Sequence, residues 1–270
     1  KGELTLEKRY AAPDEVMYHI GFSANDIKGA KIAILPGDPG RVEGLARSIS
    51  DEVEYVATHR EYTSWLAWYE GAPILVCSTG MGGPSVGIGI EELARVGITH
   101  FIRVGTTGAI QDSIELGEVI INNAAVRLDG TSKHYAPLEY PAVASFDIVS
   151  ALVQGAKENA VPYHLGISAS SDTFWPGQER YDSFTGYVPR DFQGSLKEWQ
   201  ALGVLNYEME TSALFVIAKI FGLEAGSICA AVAKRTESEA VAKGDYYATG
   251  MARIGVVLRR ALQILISESR

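Results

Sequence analysis

Short apolar runs alternate along the chain with segments whose apolar positions return every three to four residues. Lys31–Leu35 is one such run and ends in Pro36-Gly-Asp-Pro-Gly40; the segment Arg41–Ile49 then places Val42, Leu45 and Ala46 on one helical face. Pro73–Ser78 is a second run, followed by Gly80-Met-Gly-Gly-Pro84 and a predicted helix over Ser85–Val96. A third, His100–Val104, ends in Gly105-Thr-Thr-Gly108, so three apolar strands are each expected to break into a glycine-rich turn. Gly117–Ile121, Leu165–Ala169 and Gly226–Ala233 predict further strands. Thr211–Phe221, stopped by Gly222, and Met251–Ile266 predict helices. Strands alternating with helices predict an α/β fold, a three-layer α/β/α sandwich whose mixed central sheet is covered on both faces. Residues 1–15 are polar and expected to form a flexible arm. Residues 16–270 show no linker, composition shift or repeat and are expected to form a single domain.

Composition narrows the function without naming it. With 24 basic against 33 acidic residues the net charge is −9, which gives no support to a general nucleic-acid or membrane surface role. An anionic ligand would have to be held by local positive groups. Cys77 and Cys229 each lie inside an apolar run and read as small core residues, which fits a reducing compartment. No apolar stretch approaches the roughly 18 residues of a membrane span, and no signal peptide is visible, so a cytoplasmic location is expected.

The glycine turns expose backbone N–H groups and allow close approach, which suits phosphate, although each could be a plain connection. None is a P-loop, because no Gly-Lys-Ser/Thr follows, and Ser85 stands where a dinucleotide fingerprint needs its third glycine. Arg41 follows the first turn. Arg103 lies inside the third apolar run, where a charge must be paired, either with a phosphate or with a buried carboxylate. Taken alone, Arg60 beside Glu61 reads as a solvated loop, Gln178 and Arg180 as a surface turn, Glu208 and Glu210 as a helix-start charge pattern, and His19 as a satisfied histidine.

The segments together carry more than any one. Pro36-Gly-Asp-Pro-x-Arg41, Thr79-Gly-x-Gly-Gly-Pro-Ser85 and Arg103-x-Gly-Thr-Thr-Gly108 are followed in order by Val126-Arg-Leu-Asp-Gly130, Ser170-Ser-Asp-Thr-Phe174-x-Pro-Gly-Gln178-Glu-Arg180 and Asn206-Tyr-Glu-Met-Glu210. From Tyr18 onward the chain resembles the nucleoside phosphorylase family of hexameric or dimeric type. The Phe174–Arg180 segment and Arg235 resemble its uridine-cleaving branch rather than the purine-specific relatives. The resemblance implies a phosphorylase/hydrolase-like fold and phosphorolysis of uridine to uracil and ribose 1-phosphate. It implies a phosphate site from Gly37, Arg41, Arg103 and Thr106, with Arg60 from a neighbouring subunit. It implies a ribose site from Glu208, Met209 and Glu210, with His19 from the neighbour. Phe174, Gln178, Arg180 and, through water, Arg235 would hold the base. On this basis Arg103, Glu210 and Arg235 are the expected catalytic residues, inorganic phosphate is the co-substrate, and no cofactor is required. A homodimer with shared sites, or a hexamer built from such dimers, is the expected assembly. The family also implies a potassium ion near Glu61 and Ser85, two groups that do not define a metal site on their own.

Three features depart from the family pattern: Lys234 stands where asparagine is usual, Glu237–Asp245 lacks the Gln-Gln-Glu-Ile-Pro lid, and Trp175 replaces a common tyrosine. They bear on lid closure and base selectivity more than on the core reaction. The rival functions are a purine or broad-specificity phosphorylase, a hydrolytic nucleosidase of the same fold, and a non-catalytic nucleoside-binding protein.

Overall fold

A computed structural model describes residues 7–268. Its elements, in chain order, are β1 (Ile32–Pro36), α1 (Val42–Ile49), β2 (Val53–His59), β3 (Tyr62–Tyr69), β4 (Ala72–Cys77), α2 (Gly83–Arg95), β5 (His100–Ala109), β6 (Val119–Leu128), β7 (Ala142–Val143), α3 (Phe146–Glu158), β8 (Tyr163–Ser171), α4 (Ser195–Ala201), β9 (Asn206–Glu208), α5 (Thr211–Ile220), β10 (Glu224–Lys234) and α6 (Tyr246–Glu268).

Alternation along the central strands builds the three layers. In β1, Ala33 and Leu35 join a buried cluster with Val86, Ile90 and Leu93 of α2 and Ala213–Ala218 of α5. Ile32 and Ile34 face the other way, into a cluster with α1, α3 and α6. Period-two alternation in a sheet buried on both sides makes such strands continuous apolar runs, which is how the sequence writes them. Every predicted strand and helix is present, and the mixed α/β architecture is as expected.

The sheet also does something the runs did not announce. Beyond β1 and β4, strand β5 pairs in parallel with β10, β10 antiparallel with β6, β6 in parallel with β8, β8 in parallel with β9, and β9 antiparallel with β5. Five strands therefore close into a ring at one end of the sheet, while β4, β3 and β2 continue the open end. One expectation is corrected: Gly105–Gly108 is not a turn. The strand runs on to Ala109 because β10 pairs with it as far as Lys234 and β9 pairs with Gly108 and Ala109. Gly105 serves a different purpose, since a Cβ there would lie 2.7 Å from Arg103 Nη2 and 3.0 Å from Cys229 Sγ. The missing side chain is the space that the Arg103 guanidinium occupies.

The expected arm falls partly outside the described residues, at positions 1–6. Within 7–15, Ala11 N–H donates to the Arg95 carbonyl at 2.9 Å and Glu15 pairs with Arg95 at 3.3 Å, so this stretch is tied to the end of α2. Among the described residues no helix is long and apolar enough to cross a membrane.

Candidate active site

A cavity of about 850 Å³ opens at the carboxyl ends of the parallel strands β1, β4, β5 and β10, the place where open α/β sheets bind ligands. Gly37, Arg41, Glu61, Ser85, Arg103, Thr106, Phe174, Gln178, Arg180, Glu208, Met209 and Glu210 all line it. Residues drawn from six sequence segments are thus brought to one wall-to-wall site.

At one end, the first two glycine turns are zipped together. Thr79 N–H donates to the Pro36 carbonyl and Gly80 N–H to the Gly37 carbonyl, each at 2.9 Å. A Cβ on Gly37 would stand 3.2 Å from the Gly80 carbonyl oxygen, so a side chain there would push the two turns apart by a few tenths of an ångström. Arg41 is mostly buried beside this turn, engages Asp38 only at 3.9 Å, and leaves Nη1 without a partner. Asp38 is committed to the Gly40 N–H at 2.8 Å. A guanidinium with an unused buried donor, next to glycine backbone, is the arrangement that takes an anionic oxygen ligand.

At the centre, Arg103 joins two glutamates. Its Nη2 lies 2.6 Å from Glu210 Oε2 and its Nε 3.2 Å from Glu208 Oε2, with all three side chains almost wholly buried. Burial alone would lower the Arg103 pKa, but Glu210, Cys229 and Glu208 hold it above its ordinary value. Burial is also the main cause that raises the Glu210 carboxyl, against the attraction of Arg103. The two glutamates differ in how much of their valence is spent. Glu208 accepts from the Glu210 and Thr211 N–H groups at 2.8 Å each, and from the hydroxyls of Ser168 and Ser170. It fixes the β9–α5 junction. Glu210 accepts from the Gly82 N–H at 2.8 Å and faces the cavity. Of the two glutamates expected at the ribose, Glu210 is the one with capacity left for a ligand hydroxyl.

At the other end, Arg180 is 2% exposed, its guanidinium lies 4.2 Å from the centre of the Phe174 ring, and its Nε and Nη1 have no partner. Burial, and then the like charge of Arg235, push its pKa down to about 10. Unpaired buried donors are costly, so this end is built for a ligand that brings acceptors. Gln178, 3% exposed, stands beside it. Arg235 does not line the cavity. It sits behind the loop, donating from Nη1 to the Gln178 carbonyl at 2.9 Å and from Nη2 to the Glu179 carbonyl at 3.0 Å. Its observed contact with the base end is therefore through the backbone of the loop that carries Gln178 and Arg180.

Two residues expected to come from a neighbour lie together and away from this chain's own cavity. His19 Nδ1 is 2.7 Å from Glu92 Oε1, and the His19 carbonyl accepts from His59 Nδ1 at 2.9 Å. Arg60 forms the tip of the two-residue β2–β3 turn at φ +52° and packs over the Tyr18 ring at 5.6 Å. Lys234 is likewise outside the cavity, held by Glu115 at 2.8 Å and Glu237 at 3.1 Å. It adds no charge to the base pocket. Glu61 and Ser85 do converge, both within van der Waals reach of a Cβ built on Gly80. Ser85 Oγ donates to the Met81 carbonyl at 3.1 Å, and among the described residues no group of three His, Cys, Asp or Glu side chains gathers to hold a metal. One carboxylate and one hydroxyl from this chain do not fit a hard-cation shell by themselves. Tyr207, Val241, Ala242 and Tyr247, none of them expected at the site, also line the cavity. Tyr207 lies between the two motif residues Asn206 and Glu208, Val241 and Ala242 fall in the stretch where the family pattern lapses, and Tyr247 lies in the first turn of α6.

A strand-end cavity with an arginine-and-glycine end, a buried Arg–Glu centre and a glutamine–arginine end places the chain in the phosphorylase superfamily, whose family model matches residues 31–263. More particularly, it is 48% identical to the uridine phosphorylase of Escherichia coli K12 over 249 residues, 92% of this chain and 98% of that one. It is 46% identical over 232 residues to the uridine phosphorylase of Thermococcus kodakarensis, covering 86% of this chain and 82% of the relative. A guanosine phosphorylase of Halorubrum lacusprofundi is 40% identical over 199 residues, 74% of this chain and 76% of the relative.

Proposed function

We propose that this chain is a pentosyltransferase that cleaves uridine with inorganic phosphate, giving uracil and ribose 1-phosphate for nucleoside salvage. The observation that carries the choice of base is Arg180, buried over Phe174 with two unpaired N–H groups beside Gln178. The uracil edge supplies acceptor oxygens for Arg180 and an N3–H with a flanking carbonyl for the Gln178 amide. A base that cannot reproduce that pairing leaves buried polar groups unmatched and is rejected strongly.

The chemistry follows from the order of groups along the cavity. Phosphate sits on the Gly37 turn with Arg41, Thr106 and Arg103, and one of its oxygens faces C1′ from beneath. Glu210 grips the ribose hydroxyls, with the Met209 backbone beside it. As the glycosidic bond breaks, the sugar becomes oxocarbenium-like and uracil departs as an anion. Arg180 stabilises the charge that develops on the base oxygens. Phosphate attacks with inversion, so no covalent enzyme intermediate is needed. Holding two reactants in register can lower the barrier by roughly 7–11 kcal/mol.

His19 and Arg60 are clustered outside their own cavity. We propose that each pair completes the site of a second copy, so that a dimer is the working unit, with Arg60 on phosphate and His19 on the 5′-hydroxyl. The two free buried cysteines suit the cytoplasm. The decisive experiment measures uracil release from uridine with and without phosphate, with inosine and guanosine run in parallel. Release that needs phosphate and is confined to uridine is the expected result. Hypoxanthine or guanine release, or cleavage indifferent to phosphate, would overturn it.

A further inference from the structure

Residues 236–245 lie between β10 and α6; Glu237–Asp245 depart from the family pattern, yet they contribute Val241 and Ala242 to the cavity wall. One side chain joins this segment to the loop at the base end. Glu239 Oε2 accepts the backbone N–H groups of Tyr181 and Asp182, both at 2.8 Å. These are the two residues immediately after Arg180. Arg235, which precedes the segment, holds the carbonyls of Gln178 and Glu179 from the other side. The tripeptide Gln178–Arg180 is thus gripped through its own carbonyls by a guanidinium and through the next two amides by a carboxylate. The Glu239 charge also acts on both Arg180 and Arg235, and a small cavity of about 400 Å³ behind the loop is lined by Arg235, Glu239, Glu179 and Lys197.

We propose that Glu239 is a positioning residue for the base: it straps the 236–245 segment to the base loop and sets Arg180 over Phe174 before the nucleoside arrives. Two amides sharing one ionised oxygen make charge-assisted bonds, stronger than neutral ones. Holding the loop in its binding conformation reduces the ordering that the nucleoside must otherwise impose. The strap touches neither Arg41 nor the Gly37 turn, so its effect is confined to the base end.

The role rests on the uridine reading given above, and the test separates the two. Glu239→Ala and Glu239→Gln are compared with wild type by hydrogen–deuterium exchange of the 181–182 amides and by steady-state kinetics with uridine and phosphate varied in turn. In Glu239→Ala the two amides lose protection, and KM for uridine rises about ten-fold, the equivalent of roughly 1.4 kcal/mol, while KM for phosphate holds. Glu239→Gln, whose amide oxygen can still accept both N–H groups, recovers most of the uridine KM. Unchanged amide protection in Glu239→Ala, or an equal loss for uridine and phosphate, overturns the strap. Loss of protection in a protein whose wild type ignores uridine leaves the strap standing and removes the substrate assignment.

Discussion

Arg103 Nη2 and Glu210 Oε2 are 2.6 Å apart with both side chains almost wholly buried, so the group assigned to phosphate and the group assigned to ribose are one another's counter-ions. Removing Arg103 leaves the buried carboxylates of Glu210 and Glu208 without their cation. Arg103→Met is expected to destabilise the fold by about 3–5 kcal/mol, the usual effect of breaking one side of a buried pair. Arg103→Met combined with Glu210→Met should recover much of that stability and none of the activity. Urea unfolding of the two single variants and the double variant measures it; additive losses would show that the pair is not coupled.

Gly105 is the space-maker for that pair. Gly105→Ala puts a methyl 2.7 Å from Arg103 Nη2 and 2.9 Å from its Cζ. The expected outcome is a stability loss of about 1–3 kcal/mol from overpacking, with a larger fall in phosphate-dependent turnover. Comparing the melting temperature with KM for phosphate distinguishes a displaced arginine from a merely crowded strand.

Arg180→Lys keeps the charge and discards the planar fork that lies over Phe174 at 4.2 Å. Uridine KM is expected to rise about 10- to 100-fold, because arginine and lysine are not equivalent at stacked sites, with phosphate KM little changed. Equal effects on both would place the base elsewhere.

Lys234 is tied to Glu115 and Glu237 rather than to the cavity. Lys234→Asn is therefore expected to leave the ratio of uridine to inosine cleavage within about two-fold of wild type, since Glu115 and Glu237 already neutralise the ammonium. A marked shift in that ratio would mean that the residue acts on the base after all.

The ring of strands has an acid-sensitive tie. Glu118 Oε2, at the start of β6, accepts the Glu115 N–H at 3.0 Å and meets His164 Nε2 of β8 at 2.8 Å. Burial would raise the Glu118 carboxyl, but these partners outweigh it and hold it below the usual glutamate value. A depressed carboxyl contributes stability that is present above its unfolded pKa of about 4.3 and lost as pH falls through the lower folded value. The gap in urea midpoint between wild type and Glu118→Gln should be open at pH 7 and close below about pH 4; a gap that is constant with pH would remove Glu118 as its source.

Much of the architecture was legible because its signals are local. Apolar runs marked β1, β4, β5 and β10, and helical periods marked α1, α2, α5 and α6. What was not legible depends on partners far along the chain. Gly105–Gly108 has turn composition, but β9 and β10 lay hydrogen bonds along it and keep it extended. The β2–β3 hairpin was missed because its tip is Arg60-Glu61, without the glycine or asparagine that usually announces a two-residue turn. The helix α3 carries a helical-period signal in Ile148, Ala151, Leu152 and Gly155, all buried. In the site, the motif residues Gly37, Arg41, Arg103, Gln178, Arg180 and Glu210 line one cavity, while Arg235 lies outside it. Motif order could not predict that Arg235 faces a backbone or that Glu208 is saturated, since both facts depend on hydrogen-bond geometry.

The ring of strands sets a timetable for synthesis. Strand β5, which carries Arg103 and Thr106, is complete at Ala109, but its neighbour β10 spans Glu224–Lys234 and its other ring neighbour, β9, spans Asn206–Glu208. A nascent chain can assemble β1, β4 and their helices early, yet the wall bearing Arg103 keeps an open flank until Lys234 has left the ribosome. Pairings of such long sequence separation form slowly and leave strand edges exposed meanwhile. Translation that stalls before Lys234 should therefore yield a chain with a formed outer half, an unclosed ring and a tendency to associate through β5.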